Sequence, residues 1–295
     1  MTELALGTAQ FGLAYGITNK DGQITEIAAK QLLNCAQTAG INFLDTAQAY
    51  GNAELVLGRT MPNKNTFKII SKLPSQTGKH FGEESKKQWQ RALETSLERL
   101  SVSSLDALLL HNAGDLARAD KQPLLDWLLD IQDKGLVQRL GVSIYEERDL
   151  EGVPLNLLQL VQLPCSLYDQ RFIQHGTVRS LIDQGIAVHA RSIYLQGLLV
   201  TASSQWPETM NPSFRNHHRA LEAFANEKCK SLVEMAVGWI RALDLFEAAV
   251  IGITCMKELQ VLTDAWQATP PWLQVDTTGW AWEQAKDLDP RQWTC

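Results

Sequence analysis

The feature that most constrains the fold is a regular alternation of short apolar runs with longer segments of helical periodicity. The apolar runs predict eight β-strands, at residues 4–8, 42–45, 67–72, 105–111, 137–143, 157–162, 187–192 and 249–253. The segments between them carry an apolar stripe; in residues 85–100, for example, Trp89 and Leu93 lie on one face and charged residues fill the other. This order favours parallel strands joined by helical crossovers.

Signals for helix ends agree with that order. Thr25 is a predicted N-cap, and Glu26 stands in the first turn, where a negative charge favours the helix dipole. Gly40, Gly135 and Gly185 each separate a predicted helix from the next strand, where many helices end in a left-handed residue. Eight strand-helix repeats without a Gly/Ser/Pro-rich linker predict a single-domain (β/α)8 TIM barrel spanning residues 1–295, and two open three-layer domains are the alternative.

Charge and cysteine content argue against several classes of protein. The formal net charge is −6 and Lys and Arg form no cluster, so no nucleic-acid partner is expected. The five cysteines are scattered without a CxxC pair, which disfavours a disulfide framework and a zinc cluster. Neither a signal peptide nor an apolar run of about 18 residues is recognised, so no membrane partner is expected. These features predict a cytoplasmic protein and leave its oligomeric state open.

Three consecutive predicted strands lead into a polar residue. The second strand ends at Asp45, the third at Lys72 and the fourth at His111. Tyr50 follows Asp45 by five residues, in the next loop. Because a barrel of this type carries its functional residues at the carboxyl ends of the strands, we expect these four side chains to converge on one mouth.

These four residue types suit the reduction of a carbonyl group. Tyrosine is a weak acid with a reference pKa of about 10, and a neighbouring ammonium group lowers that pKa. We expect Lys72 to supply this charge and Asp45 to hold it in place. His111 would donate a hydrogen bond to the substrate carbonyl, and Tyr50 would protonate its oxygen as hydride reaches the carbon.

Each of the four residues has a purely structural explanation when taken alone. Asp45 is of a type that often caps a helix or forms a turn, and Lys72 would be solvated at a strand end. His111 would be a satisfied buried histidine, and Tyr50 would pack in a turn. The ordered set of four makes the catalytic interpretation the stronger one.

The stretches that carry these residues resemble the aldo-keto reductase family. The matching stretches are residues 6–12 (LGTAQFG), 40–54 (GINFLDTAQAYGNAE), 70–73 (ISKL) and 108–111 (LLLH). The last three resemble the family segments that carry the catalytic Asp and Tyr, the catalytic Lys and the catalytic His. Matches continue in order to about residue 265. The resemblance implies an oxidoreductase that uses a nicotinamide cofactor to reduce an aldehyde or ketone, with Tyr50 as general acid.

The resemblance also implies which residues bind the cofactor. Ser143 and Gln162 match residues that contact the nicotinamide carboxamide. Residues 192–198 resemble the loop that straddles the pyrophosphate, and residues 251–254 resemble the loop that meets the adenosine phosphate. The expected cofactor-binding residues are Thr8, Ser143, Gln162, Arg191, Ser192, Tyr194, Gln196, Gly252 and Thr254. The resemblance favours NADPH, and NADH is the alternative.

Three departures from the family pattern concern the cofactor. Ile144 stands where an Asn usually follows the carboxamide serine. Arg191 stands where an aromatic residue usually stacks under the nicotinamide; a guanidinium also stacks on flat rings, and contact with a phosphate is its other candidate role. The Lys or Arg expected for the 2′-phosphate is missing after strand eight, where Lys257 is the nearby cation.

Other functions compete with the reductase. A catalytically silent, nucleotide-binding regulatory module on the same fold is favoured by the altered cofactor positions and disfavoured by the intact set of four. A Schiff-base aldolase would need a Lys72 of low pKa, which Asp45 would oppose. No metal site is expected at His217 and His218, because neighbouring histidines point apart on a helix and no carboxylate at ligand spacing supports them.

Two segments depart from the strand-helix repeat and bear on the substrate. Residues 203–216 carry two prolines and are predicted to form a long loop after the seventh strand. A tail from about residue 269 is expected to pack on the barrel surface, and a flap at the mouth is the alternative. Its tryptophans are Trp272, Trp280, Trp282 and Trp293. These tryptophans, with Tyr15, Trp206 and Phe214, are candidates to line the site of a small carbonyl substrate.

Overall fold

The described residues contain eight strands that close into a parallel barrel. The structure is a computed structural model and describes residues 1–63, 66–76, 78, 80–268 and 277–293. The strands are β1 (Glu3–Gly7), β2 (Phe43–Asp45), β3 (Lys68–Leu73), β4 (Leu105–Leu110), β5 (Val137–Ser143), β6 (Leu160–Pro164), β7 (Ala187–Arg191) and β8 (Ala248–Gly252). Each strand pairs with the next in the chain, and β8 pairs with β1, so the predicted (β/α)8 barrel is confirmed.

Helices connect the strands on the outside of the barrel. The α-helices are α1 (Ala9–Gly12), α2 (Glu26–Thr38), α3 (Ala53–Thr60), α4 (Glu83–Leu100), α5 (Gln122–Asp133), α6 (Arg171–Gln174), α7 (Thr177–Asp183), α8 (Pro212–Glu227), α9 (Leu232–Leu243), α10 (Met256–Gln267) and α11 (Ala285–Leu288). The 3-10 helices are Ala113–Leu116, Glu147–Leu150, Leu155–Leu157, Leu195–Val200, Ser203–Gln205, Thr278–Trp280 and Pro290–Gln292. At the start of α2, Thr25 accepts a hydrogen bond from the backbone N–H of Ala28, as its position predicted. Among the described residues, no helix is both long and apolar enough to cross a bilayer.

The predicted loop at residues 203–216 is partly wrong. A 3-10 helix occupies Ser203–Gln205, and α8 begins at Pro212. Proline suits the first position of a helix because its missing N–H would have no partner there. Asn211 caps this helix by accepting the backbone N–H of Ser213 at 3.0 Å. The prolines therefore mark a helix start as well as a loop.

The barrel interior is layered by the alternation of side chains along each strand. An apolar cluster fills its middle and consists of Ala5, Phe43, Ile70, Ala107, Leu109, Leu160, Ala248 and Val250. Residues two positions further toward the carboxyl end face the same way, because side chains alternate between the two faces of a strand. On β2, β3 and β6, and just after β4, those residues are Asp45, Lys72, Gln162 and His111. The fold thus brings the predicted site residues to one end of the barrel.

Candidate active site

At the carboxyl ends of β2 and β3, Asp45 and Lys72 form a buried ion pair. Lys72 is 1% exposed and Asp45 is 4% exposed. Lys72 Nζ donates to Asp45 Oδ1 at 2.8 Å, to Oδ2 at 2.7 Å and to the carbonyl oxygen of Thr46 at 2.9 Å. An ammonium group has three protons, so these bonds account for all of them. Burial lowers the pKa of Lys72, and the Asp45 carboxylate opposes that shift by favouring the ammonium form.

Thr8 and Gln162 hold Asp45 in position. Thr8 donates both its backbone N–H and its hydroxyl to the carbonyl oxygen of Asp45, each at 2.9 Å. Gln162 Nε2 donates to Asp45 Oδ1 at 2.7 Å. Thr8, expected to bind cofactor, therefore positions Asp45 through the backbone. Gln162 keeps its carboxamide oxygen, which is buried and has no hydrogen-bond partner among the described residues.

Tyr50 lies in a tightly packed loop between β2 and α3. A Cβ atom added at Gly12 would lie 1.8 Å from the carbonyl oxygen of Tyr50, so this close approach requires glycine. Gln48, in the same loop, donates to Ser96 Oγ of α4 at 2.8 Å. Lys72 Nζ lies 5.2 Å from the centroid of the Tyr50 ring. The packing of its own loop thus holds Tyr50 beside the ion pair.

The pKa of Tyr50 is raised, whereas the sequence led us to expect a lowered one. Burial is the main cause, and the negative charge of Asp45 adds to it. Lys72 does not reverse the shift, because its charge is balanced by the carboxylate with which it shares its protons. Tyr50 therefore stays a phenol, which is the form that has a proton to donate.

His111 faces Tyr50 across the mouth of the barrel. Its ring centroid lies 6.2 Å from that of Tyr50, with the two planes at 79°. Its backbone N–H donates to the carbonyl oxygen of Leu73 at 2.9 Å and continues the ladder between β3 and β4. Burial, with a smaller effect of the Lys72 charge, lowers the pKa of His111 to about 4. At neutral pH the imidazole is uncharged and offers one N–H donor.

Ser143 and Gln162 lie side by side and fit a nicotinamide carboxamide. They are register partners on β5 and β6, and both are buried. The unpartnered carboxamide oxygen of Gln162 needs a donor, and an amide NH₂ group supplies one. Ile144, at the position where Asn was expected, is fully buried and presents its carbonyl oxygen to Arg191 Nη2 at 2.9 Å.

Arg191, at the end of β7, stacks on a ring of the protein itself. Its guanidinium carbon lies 4.0 Å from the centroid of the Tyr145 ring, and that of Arg291 lies 3.5 Å from the same centroid. Both guanidinium groups therefore pack on the Tyr145 ring. Sequence reasoning missed Tyr145 and Arg291, because the contact joins residues far apart in the chain; the one local signal was an aromatic residue just after a strand.

Within residues 277–293, the tail packs on α8 around Trp282, and its last part, from Ala285 to Gln292, lines a pocket with Tyr145, Arg191 and Ser192. The rings of Trp282 and Phe214 of α8 lie 5.0 Å apart. Phe214 and Trp206 are 0% and 4% exposed, so they belong to a buried cluster under the tail and do not line the mouth. Trp272 lies outside the described residues. The expected surface packing is thus found for the described tail around Trp282.

The loop after β7 has an unusual backbone. Ser192, Leu195 and Gln196 have φ angles of 61°, 47° and 53°, a left-handed conformation that few residues other than glycine adopt. Gln196 Nε2 lies 3.4 Å from the hydroxyl of Tyr15, in the loop after β1. Tyr15 is 38% exposed, so it remains a candidate to line the mouth. The hydroxyl of Tyr194 is buried without a hydrogen-bond partner among the described residues.

The loop after β8 holds the last two predicted cofactor residues. Gly252 packs against Gln10, whose Nε2 would lie 2.6 Å from an added Cβ atom. Thr254 donates its backbone N–H and its hydroxyl to Glu258 Oε2, the hydroxyl at 2.9 Å. Sequence reasoning missed Glu258, because the residue three positions before it, at the helix N-cap, is Cys255 and the sequence therefore lacks the Ser/Thr-x-x-Glu signature.

His217 and His218 contact other protein groups. His218 Nδ1 lies 2.6 Å from the hydroxyl of Tyr168, and its Nε2 lies 2.9 Å from the carbonyl oxygen of Thr201. His217 Nε2 lies 3.0 Å from the carbonyl oxygen of Trp280. In the part of the chain that the structure describes, no group of three or more His, Cys, Asp or Glu is arranged to hold a metal ion.

Comparison with known proteins gives the family of the chain. A model of the aldo/keto reductase family matches residues 3–271. The chloroplastic pyridoxal reductase of Arabidopsis thaliana is 24% identical over 279 residues, which cover 81% of this chain and 72% of that protein. D-arabinose 1-dehydrogenase of Saccharomyces cerevisiae and an aldo-keto reductase of Mycolicibacterium vanbaalenii are 27% and 30% identical over 48% and 45% of this chain. These two matches span less than half of each relative, 41% and 46%.

Solved structures share the fold. The holo form of an aldo-keto reductase from Bacillus halodurans superposes with a TM-score of 0.74 at 19% identity, over 96% of this chain and 94% of that chain. A glycerol dehydrogenase from Gluconobacter oxydans superposes with a TM-score of 0.66 at 22% identity, over 90% and 87% of the two chains. At such identities these likenesses concern the fold. The family match over residues 3–271 shows that this chain belongs to the aldo/keto reductase family.

Proposed function

We propose that this protein reduces a small aldehyde or ketone to an alcohol with hydride from a nicotinamide cofactor, and that Tyr50 is the general acid. The observation that carries the proposal is the convergence of Tyr50, His111 and the Asp45–Lys72 pair on one end of the barrel. A neutral donor, a protonated phenol and a fixed positive charge are the groups that a developing alkoxide needs.

The cofactor would supply the hydride that adds to the carbonyl carbon. Ser143 and Gln162 would hold its carboxamide, and Arg191 would lie close to that end. Ser192, Tyr194, Gln196, Gly252 and Thr254 would line the phosphate and adenosine end. Thr8 would act indirectly, through the backbone of Asp45.

The protein residues act on the carbonyl oxygen. His111 donates its one N–H to that oxygen and polarises the carbonyl. As negative charge develops, Tyr50 gives up its hydroxyl proton, because an alkoxide is a much stronger base than a phenolate even when burial raises the tyrosine pKa. Lys72 stabilises the phenolate through its charge, 5.2 Å from the ring centroid, since its protons are already bound to Asp45 and Thr46.

Oxidation of the reduced cofactor in the presence of a panel of aldehydes and ketones tests the activity. We expect Tyr50→Phe to lower kcat by about 10²–10⁴-fold, the usual effect of losing a general acid. The dissociation constant of the cofactor, measured by quenching of tryptophan fluorescence, should stay unchanged, which would show that the variant is folded. Undiminished turnover by Tyr50→Phe would contradict the mechanism. Tight cofactor binding by the wild-type protein without turnover of any carbonyl would instead favour the regulatory module.

A further inference from the structure

The loop after β8 presents a carboxylate where the chain enters α10. Thr254 donates both its backbone N–H and its hydroxyl to Glu258, which stands in the first turn of this 12-residue helix. Helix N-termini attract anions, and in TIM barrels the loops after strands seven and eight often form a phosphate site with such a terminus. In this protein, the two donors of Thr254 are already taken by a side-chain carboxylate.

The charges of the surrounding segment also disfavour a bound anion. The stretch between residues 249 and 268 contains one cation, Lys257, against the two carboxylates of Glu258 and Asp264. Lys257 and Glu258 are both exposed, so solvent reaches this end of the barrel. A doubly charged phosphate placed here would therefore face a net negative segment.

A second observation concerns the loop after β7, the strand that pairs with β8. The hydroxyl of Tyr194, in the neighbouring loop after β7, is buried and has no hydrogen-bond partner among the described residues. Burial raises the pKa of Tyr194, and the charge of Glu258 raises it further. A buried donor without a partner costs free energy, and an oxygen atom of a bound ligand would remove that cost.

We propose that Glu258 makes the adenosine end of the cofactor site select NADH over NADPH. The proposal rests on the proposed function, since it assumes a nicotinamide dinucleotide that lies across β7 and β8. A ribose 2′-hydroxyl can donate to the carboxylate, as it does to the acidic residue of NAD-binding α/β folds. A 2′-phosphate would meet like charge and would have to displace Glu258 from Thr254. The proposed preference for NADH therefore differs from the preference for NADPH that the family resemblance implies.

The dissociation constants of NADH and NADPH test the proposal without any need for turnover. They are measured by quenching of tryptophan fluorescence at low ionic strength, for the wild-type protein, Glu258→Gln and the control Asp264→Asn. Asp264 is an exposed carboxylate on the same helix, so its variant removes one charge away from the Thr254 donors. We expect the wild-type protein to prefer NADH by at least about tenfold, and Glu258→Gln to tighten NADPH binding by about tenfold. Asp264→Asn removes the same unit charge about 9 Å further along the helix and leaves the Thr254 donors bound, so its effect on NADPH should be clearly smaller than that of Glu258→Gln.

Salt gives a second measurement on the wild-type protein, independent of any variant. The preference for NADH should shrink as ionic strength rises, because exposed charges are screened. Tighter binding of NADPH than NADH by the wild-type protein would overturn the proposal, as would an equal change of both constants in Glu258→Gln. If the wild-type protein bound neither dinucleotide, the proposed function itself would fail.

Discussion

Replacing Lys72 by methionine would leave the carboxylate of Asp45 buried without its cation. The two side chains are 1% and 5% exposed, and Nζ lies 2.7 Å and 2.8 Å from the carboxylate oxygens. At an effective dielectric constant of about 20, two unit charges at this separation attract each other by about 6 kcal/mol. Gln162 would keep its hydrogen bond to Asp45 and retain part of the stabilisation. We therefore expect Lys72→Met to lower the free energy of unfolding by about 3–5 kcal/mol.

A double-mutant cycle separates the ion pair from other effects of the substitution. Asp45→Asn removes the negative charge, so Lys72→Met combined with Asp45→Asn should recover most of the loss and lie within about 1.5 kcal/mol of the wild-type protein. The exposed pair of Lys134 and Asp130, at 2.6 Å, is a matched control. Because both of its side chains are about half exposed, Lys134→Met should cost less than about 1 kcal/mol.

Thermal unfolding followed by circular dichroism measures these differences. For a chain of this size, 1 kcal/mol shifts Tm by roughly 2–4 °C, so Lys72→Met should melt roughly 6–20 °C below the wild-type protein. A Lys72→Met protein as stable as Lys134→Met would refute the reasoning. So would a double variant whose loss is simply the sum of the two single losses, because the two charges would then not interact.

Two further predictions concern the amino end of the barrel and the tail. Glu247 accepts hydrogen bonds from His189 and Arg139; burial raises its pKa, but these bonds outweigh burial and lower it to about 2. Since its unfolded pKa is about 4.3, its stabilisation is complete above that pH and is lost as the pH falls toward 2. Glu247→Gln should cost about 1–2 kcal/mol at neutral pH. When the free energy of unfolding is measured with urea at several pH values, this variant should lose less stability below about pH 4 than the wild-type protein does. An equal loss in both proteins would contradict the prediction. Arg291→Met should lose about 0.5–1 kcal/mol, because it removes both the contact with Tyr145 and the hydrogen bonds to Asp289. Arg291→Lys keeps a charge beside Asp289 without the flat group and should lose less than Arg291→Met, so a lysine variant of wild-type stability would speak against stacking.

The parts that the sequence predicts well are those set by periodicity along single strands. Side chains alternate along a strand with a period of two, so an apolar Phe43 or Ile70 inside the barrel fixes where Asp45 and Lys72 point two residues later. The start of β6 was placed three residues early, because Leu155–Leu157 forms a 3-10 helix that carries the same apolar pattern. Periodicity thus gives the direction of a side chain more reliably than the end of an element.

The contacts that the sequence does not predict join residues that are distant in the chain or depend on how hydrogen bonds are shared. The stack of Arg291 on Tyr145 needs the tail to return to the barrel mouth. The pKa of Tyr50 is a subtler case, because the residue types alone suggest that Lys72 lowers it. Its direction is reversed by burial and by the pairing of all three ammonium protons with Asp45 and Thr46.

The raised pKa of Tyr50 bears on how Lys72 would act on this residue. With its protons fully bound, Lys72 has no donor left for the phenol, so it can favour proton transfer only through its charge. In the proposed mechanism, the Asp45 carboxylate would repel the phenolate that forms at Tyr50, and the Lys72 ammonium would offset part of that repulsion. Burial and Asp45 together keep the pKa of Tyr50 raised, so the driving force for proton transfer would come from the basicity of the alkoxide and not from the ion pair. The pair of Asp45 and Lys72 would then serve mainly to hold the ammonium beside the Tyr50 ring.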